Sequence, residues 1–367
     1  MRADTVFSPS FGNRPTYLVG REETLSSLER GLGSIPGSRE RAVVLLGQRG
    51  SGKTVLLWEL ADRAEKLGFV VATPTIASED MLPRIVEKIQ ERGEKYVTDG
   101  SGSSLTGGSV GAFGFSFGLT FTREVEETKT TQFKLVQLVR KLTGAGRGTL
   151  ILVDELQANS IEIRQLVTVY QEMVGEGLNV ALVMAGLPAA VSATLNDRVL
   201  TFLNRARKIS LPPLPLGDVD AFFLEAFSRL GVQIGPEDRR RAAEFTQGSP
   251  YMLQLVGHSI AVRADDAGRL GAGGLDEALA SAMSDFENDV CETTLAALSD
   301  KDVEFLTAMA QDEGASRVSD VAERMGVTVD YAQKYRRRLI DAGVIEAARR
   351  GFVRFAVPYL KRHLSRP

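Results

Sequence analysis

Apolar residues recur along this chain in two patterns. Short unbroken runs, "RAVVLL" at 41–46, "TLILV" at 149–153 and "NVALVMAG" at 179–186, predict strands buried on both faces, as in parallel sheets. Elsewhere apolar positions return every three or four residues. Leu56, Leu57, Leu60, Ala61, Ala64 and Leu67 fall on one helical face, and so do Phe222, Phe223, Ala226, Phe227 and Leu230. "VGREETLSSLERGL" at 19–32 reads as a turn and an amphipathic helix, and "FLNRARKISLPPL" at 202–214 as a helix end entering a short strand. Strands alternating with helices predict a parallel α/β core, followed by helices alone.

The last seventy residues change pattern again. Val318, Val321, Ala322 and Met325 line a helix that Gly326 ends; Thr328 caps a second helix that buries Ala332, Tyr335 and Leu339 and stops at Gly343. "VIEAARRGFVRFAV" at 344–357 then alternates around an Arg-Arg-Gly turn, the outline of a wing on a helix-turn-helix.

Chemistry enters at "GQRGSGKT", Gly47 to Thr54, which fits G-x-x-x-x-G-K-[ST] in full. In such a loop Gln48, Arg49, Gly50, Ser51, Gly52 and the start of the helix through Val55 supply inward-facing amides. Lys53 reaches the outer phosphates, and the Thr54 hydroxyl can bind Mg²⁺. The apolar run before it and the periodic helix after it supply the strand and helix this mechanism requires. A magnesium-bound phosphate also needs a carboxylate, and an attacking water needs orienting. "GTLILVDELQ", Gly148 to Gln157, places Asp154 and Glu155 at the carboxyl end of a buried strand, where open α/β sheets hold ligands. Asp154 is assigned to the metal and Glu155 to polarising the water.

At 367 residues and 43% hydrophobic content the chain predicts several cores, and its one cysteine excludes an intrachain disulfide framework. Its start lacks the basic-then-apolar pattern of a secretory signal, and no apolar run approaches the roughly 20 residues of a membrane span. Both point to the cytosol. The formal charge is -3, but it is segregated: residues 333–367 carry ten Lys or Arg against Asp341 and Glu346, a balance of +8, and the rest of the chain carries -11. Lys334, Arg336, Arg337 and Arg338 on the second helix, with Arg349 and Arg350 in the wing, are therefore candidate contacts to duplex DNA.

Together, "PTYLVGREETLSSLERGL", the phosphate loop, "LILVDE" and the basic tail resemble AAA+ ATPases of the archaeal replication-initiator (origin-recognition) type, and equally the related STAND signalling ATPases. The resemblance implies a parallel-sheet AAA+ core over 1–213, with an insertion about 95–131, a helical lid over 214–294 and a winged helix over 295–367. It implies ATP or ADP with Mg²⁺ as ligands and ATP hydrolysis as the activity. It places Pro15, Leu18, Val19 and Gly20 over the adenine. Arg205 or Arg207 would be an arginine finger serving a neighbouring subunit, which implies a homo-oligomer. Pro250, in a Gly-Ser-Pro turn, would report the phosphate state as in STAND proteins. The chain departs from the initiators where a sensor residue would end the strand at 179–186, which reads Ala-Gly-Leu-Pro, and has Tyr251 and Met252 where a second sensor arginine would stand. Slow turnover is the expectation. The function implied is a nucleotide switch acting on DNA; the alternative is a STAND signalling ATPase whose nucleotide gates oligomerisation and whose winged helix binds protein. In the insertion, Phe113, Phe115, Phe117, Leu119 and Phe121 alternate with Gly, Ser and Thr, a one-faced apolar strand that could fold back on its own core, pack against another subunit, or meet a protein partner or membrane surface, while the linker-like Gly/Ser flanks fit a plain loop equally.

Overall fold

Five parallel strands form the central sheet: β1 (Ala42–Leu46), β2 (Phe69–Ile76), β3 (Gly148–Asp154), β4 (Val180–Gly186) and β5 (Arg207–Ser210). Their order is β2-β3-β4-β1-β5, so β4 lies between the two strands that carry the phosphate loop and the Asp-Glu pair. The computed structural model describes residues 6–9, 18–76, 78–98, 130–157, 160–188, 191, 194 and 201–366.

Alternation along β1 assigns its side chains to opposite layers. Val43 and Leu45 join Leu25, Leu28, Leu56 and Leu60 of α1 (Glu22–Leu32) and α2 (Lys53–Lys66). Val44 faces the other way, toward Ile85, Leu135, Leu166 and Tyr170 of α3 (Met81–Thr98), α4 (Thr131–Gly144) and α5 (Ile161–Gly175). Every residue of β3 and β4 is buried, as continuous apolar runs require when helices cover both faces. Helices α3 and α4 account for part of the long interval between Thr54 and Asp154. The alternating Phe113 to Phe121 segment lies outside the described residues.

After β5 the chain is helical. α6 (Leu216–Leu230), α7 (Pro236–Phe245), α8 (Pro250–Arg263) and α9 (Gly274–Phe286) lead into a π-helical turn at Glu287–Glu292 and the short α10 (Thr293–Ala296). Phe223, Ala226, Phe227 and Leu230 of α6 are buried, and Phe222 packs at the margin of the same core. Each fully buried Phe contributes about 2–3 kcal/mol. Phe7, near the amino terminus, is part of this core, its ring 5.5 Å from that of Phe227, and Ser8 N–H donates to Gln254 Oε1 at 2.8 Å.

The final segment comprises α11 (Asp300–Ala310), β6 (Ser316–Arg317), α12 (Val318–Arg324), α13 (Val329–Asp341), β7 (Ile345–Arg349), β8 (Phe352–Phe355) and α14 (Leu360–Leu364). Its three strands form an antiparallel sheet in the order β6-β8-β7. Although residues 214–294 and 295–367 read as separate units in sequence, they share one apolar core: Phe223, Phe227 and Phe286 are continuous with Phe305, Leu339, Val353 and Leu360.

Candidate nucleotide site

The loop between β1 and α2 closes with Gly50 and Gly52 at φ 71° and 84°, left-handed conformations that cost other residues about 1–2 kcal/mol. Lys53 begins α2, and its ammonium donates to Gly47 O at 2.9 Å and Gln48 O at 2.8 Å. Burial, outweighing the attraction of Asp154 and Glu155, lowers its pKa to about 8. Thr54 Oγ1 donates to Asp154 Oδ2 at 2.6 Å, joining the two motifs across 100 positions of sequence. Asp154 is buried at the end of β3, whereas the Thr54 side chain is exposed. Hydroxyl and carboxylate so placed suit Mg²⁺, which takes oxygen ligands and keeps several waters. Ser51 Oγ, in the same loop, is buried with no partner among the described residues, a polar orphan that a phosphate oxygen would satisfy. The residues present thus fit a magnesium nucleotide.

Glu155 has φ 51°, uncommon for a residue other than glycine, and its amide donates to Asp154 Oδ1 at 2.9 Å. This bend turns the exposed Glu155 away from the strand while Leu156 packs back inside, its amide donating to Ala185 O at 2.8 Å. At the end of β4, a Cβ on Gly186 would stand 2.8 Å from Leu156 Cβ. Packing against Leu156 therefore accounts for the glycine in Ala-Gly-Leu-Pro.

The helical segment that follows β5 reaches the phosphate loop. Tyr251 N–H donates to Gly50 O at 3.2 Å, and a Cβ on Gly52 would meet the Pro250 ring at 3.7 Å. Ser249 caps α8 by accepting from Met252 N, which fixes Pro250 and Tyr251 at the helix start. The Tyr251 hydroxyl donates to Asp289 Oδ2 at 2.5 Å, in the π-helical turn that leads to the C-terminal segment. From the other side, Gln48 lies against Gly343 at the end of α13. The loop is therefore touched by both that helical segment and the C-terminal segment.

Of the expected adenine-side residues, Leu18 and Val19 are partly buried, and Gly20, at φ 62°, turns against Leu214, Pro215 and Asp218 where the helical segment after β5 begins. Pro15 lies outside the described residues. Arg49 and Arg205 are exposed. Arg207 is half-buried, and its Nη2 donates to Ser27 Oγ at 2.7 Å. Val55 is half-buried at the head of α2.

The basic row on α13 is also not uniform. Lys334 and Arg337 are exposed, and Arg336 is half-buried beside Gln333. Arg338 is exposed as well, but one arm of its guanidinium is engaged within the chain. Its Nη2 turns back to Asp302 Oδ2 at 2.5 Å, and Asp302 is only 1% exposed. A buried carboxylate needs that cation more than solvent does. Arg349 stacks 3.9 Å over the Phe352 ring in the hairpin, with Arg350 exposed at its turn.

Sequence reasoning missed Arg21 altogether. It is 4% exposed, and its Nη2 donates to Pro212 O at 2.6 Å and Ser51 O at 3.4 Å. It stands within the quoted "VGREE", but no local pattern announces partners so far along the chain.

Fold and site are those of a P-loop nucleotide-binding core. Residues 17–184 match the AAA ATPase domain family, and residues 288–364 match a domain of unknown function (DUF8462). Among solved structures, the chain is similar to the Walker-type ATPase of Pyrococcus abyssi, with TM-score 0.65 and 16% identity over 96% of this chain and 97% of that one. It is also similar to the Aeropyrum pernix ORC2 protein in its ADPNP-ADP complexes, with TM-score 0.64 and 16% identity over 97% and 96%. Cdc6p from Pyrobaculum aerophilum matches with TM-score 0.51 and 17% identity over 97% and 96%. These likenesses are of fold. No curated protein matches the chain in sequence. Among the described residues no helix is long and apolar enough to cross a membrane.

Proposed function

We propose that the protein is a slow ATP-driven switch that passes the state of its nucleotide to duplex DNA. In this reading Lys53 and the loop amides hold the outer phosphates, Thr54 and Asp154 hold Mg²⁺, and Glu155 orients the attacking water. Bound Mg²⁺ would neutralise charge on the transferring phosphoryl group. Leu18, Val19 and Gly20 would line the adenine side, Arg205 would serve a neighbouring subunit, and Pro250 would sense the phosphate state. Turnover is slow because β4 ends in Gly186, which offers no polar side chain to the γ-phosphate.

One observation carries the coupling. The phosphate loop meets the lid through Tyr251 and the C-terminal segment through Gln48 and Gly343, and those two parts share a core. When Lys53 turns to a phosphate it gives up Gly47 O and Gln48 O, so the loop carbonyls and the Gln48 side chain shift together. The C-terminal segment then acts as a winged helix. α13 enters the major groove through Lys334, Arg337 and the half-buried Arg336, and Arg349 and Arg350 reach phosphates. Segregation of +8 into residues 333–367 favours a polyanion over an acidic-neutral protein partner.

The test is duplex DNA binding by the full chain with MgADP and with a non-hydrolysable MgATP analogue. A nucleotide-dependent change in DNA affinity supports the switch. Nucleotide-dependent assembly without DNA affinity supports a STAND-type signalling role and contradicts it.

A further inference from the structure

Arg21 is a buried cation whose partners are two backbone carbonyls and, among the described residues, no carboxylate. It occupies the position before α1, directly after Gly20 has turned against Leu214, Pro215 and Asp218. Its two acceptors belong to different parts of the site. Ser51 O is in the phosphate loop, and Pro212 O is where the chain leaves β5 for the lid.

A trans peptide is planar, with its C=O and the following N–H pointing in opposite directions. A cation that draws the Ser51 carbonyl outward therefore turns the Gly52 N–H toward the inside of the loop, where phosphate oxygens are bound. The same positive charge, held from solvent beside the loop, raises the local potential for a polyphosphate. Because Pro212 O is held by the same Nη2, loop orientation and lid departure are fixed to one point.

We infer that Arg21 is a positioning residue: it presets the Gly52 amide for phosphate and ties that peptide to the hinge of the lid. It does not touch the nucleotide. This inference rests on the phosphate loop being the nucleotide site, as proposed above.

The test uses the full chain, wild type, Arg21→Met and Arg21→Lys, with MgADP binding read by calorimetry and folding by thermal unfolding. Arg21→Met is expected to lower MgADP affinity about tenfold to hundredfold, the scale of a lost charged hydrogen bond. Arg21→Lys, which keeps the charge but reaches a single carbonyl, should fall between. Millimolar guanidinium ion should restore affinity to an Arg21→Ala chain and not improve wild type. A lowered unfolding temperature with unchanged MgADP affinity in the folded chain would reduce Arg21 to a structural role and overturn the inference. Wild-type chain that binds no nucleotide would remove both this inference and the ATPase reading; wild-type binding with indifferent variants removes this inference alone.

Discussion

The backbone of Gly343, at the end of α13, lies directly against the Gln48 amide of the phosphate loop; a Cβ there would stand 2.5 Å from Nε2 and 2.8 Å from Oε1. Gly343 is also left-handed, at φ 68°. Replacement by Ala meets both conditions. The backbone penalty is about 1–2 kcal/mol, with the clash added to it. Gly343→Ala should lower the unfolding temperature by several degrees. In a double-mutant cycle, Gln48→Ala should recover the part of the clash that falls on its amide, with Pro188 Cγ at 2.9 Å still in the way, leaving a coupling energy of about 0.5–3 kcal/mol. Additive effects would mean the two residues do not press on each other in solution.

The pairing of Thr54 with Asp154 and the turned-out Glu155 divide binding from chemistry. Lys53→Ala should lose nucleotide affinity. Glu155→Gln should keep it and lower kcat by about a hundredfold or more, as loss of a general base does. Filter binding and phosphate release measured on the same preparations check this; full turnover in Glu155→Gln would remove that side chain from the reaction.

Cys291, the single cysteine, is a built-in reporter of the π-helical turn between α9 and the C-terminal segment. Burial, with Glu287 and Glu292 nearby, pushes its pKa from 9.0 up to about 12. The folded thiol should resist a disulfide reagent at pH 8 and react only when the turn opens. The unfolded chain releases the thiol proton near pH 9 and the folded chain retains it, so this group's contribution to stability is intact below pH 9 and declines as pH rises toward 12. The stability difference between wild type and Cys291→Ala should be constant below pH 9 and shift against the wild type within that window.

Arg338 and its neighbours on α13 should separate by phenotype. Removing Arg338 leaves Asp302 buried beside a weakened capping box, so Arg338→Ala should destabilise the fold by about 1–3 kcal/mol, moderated by the guanidinium's half exposure. Asp302→Asn in that background should restore part of the loss. Lys334→Ala, Arg337→Ala and Arg349→Ala should leave stability nearly unchanged. Each that contacts a phosphate should reduce the log-log salt slope of DNA binding by about 1.

What the sequence made legible was local. Strand, loop and helix around Lys53 follow from contiguous apolar runs, glycine placement and helical spacing, and Thr328 and Gly343 mark the ends of α13 because capping acts within a few residues. The partners of a long side chain have no such signature. Arg21 meets Pro212, 191 positions later, and Arg338 meets Asp302, 36 positions earlier; both pairings depend on how packed elements approach. Charge counting placed Arg338 in an outward row, where it is exposed, but gave no sign that its guanidinium also pairs with the buried Asp302. The left-handed bend at Glu155 was equally silent, since glutamate carries no preference for it.

The most direct measurement is calorimetric titration of the full chain with MgADP and MgATP, beside Lys53→Ala. One nucleotide per chain, with heat lost in the variant, is the result the phosphate loop predicts. A folded wild-type chain that gives no binding heat and no shift in unfolding temperature with either nucleotide would contradict it.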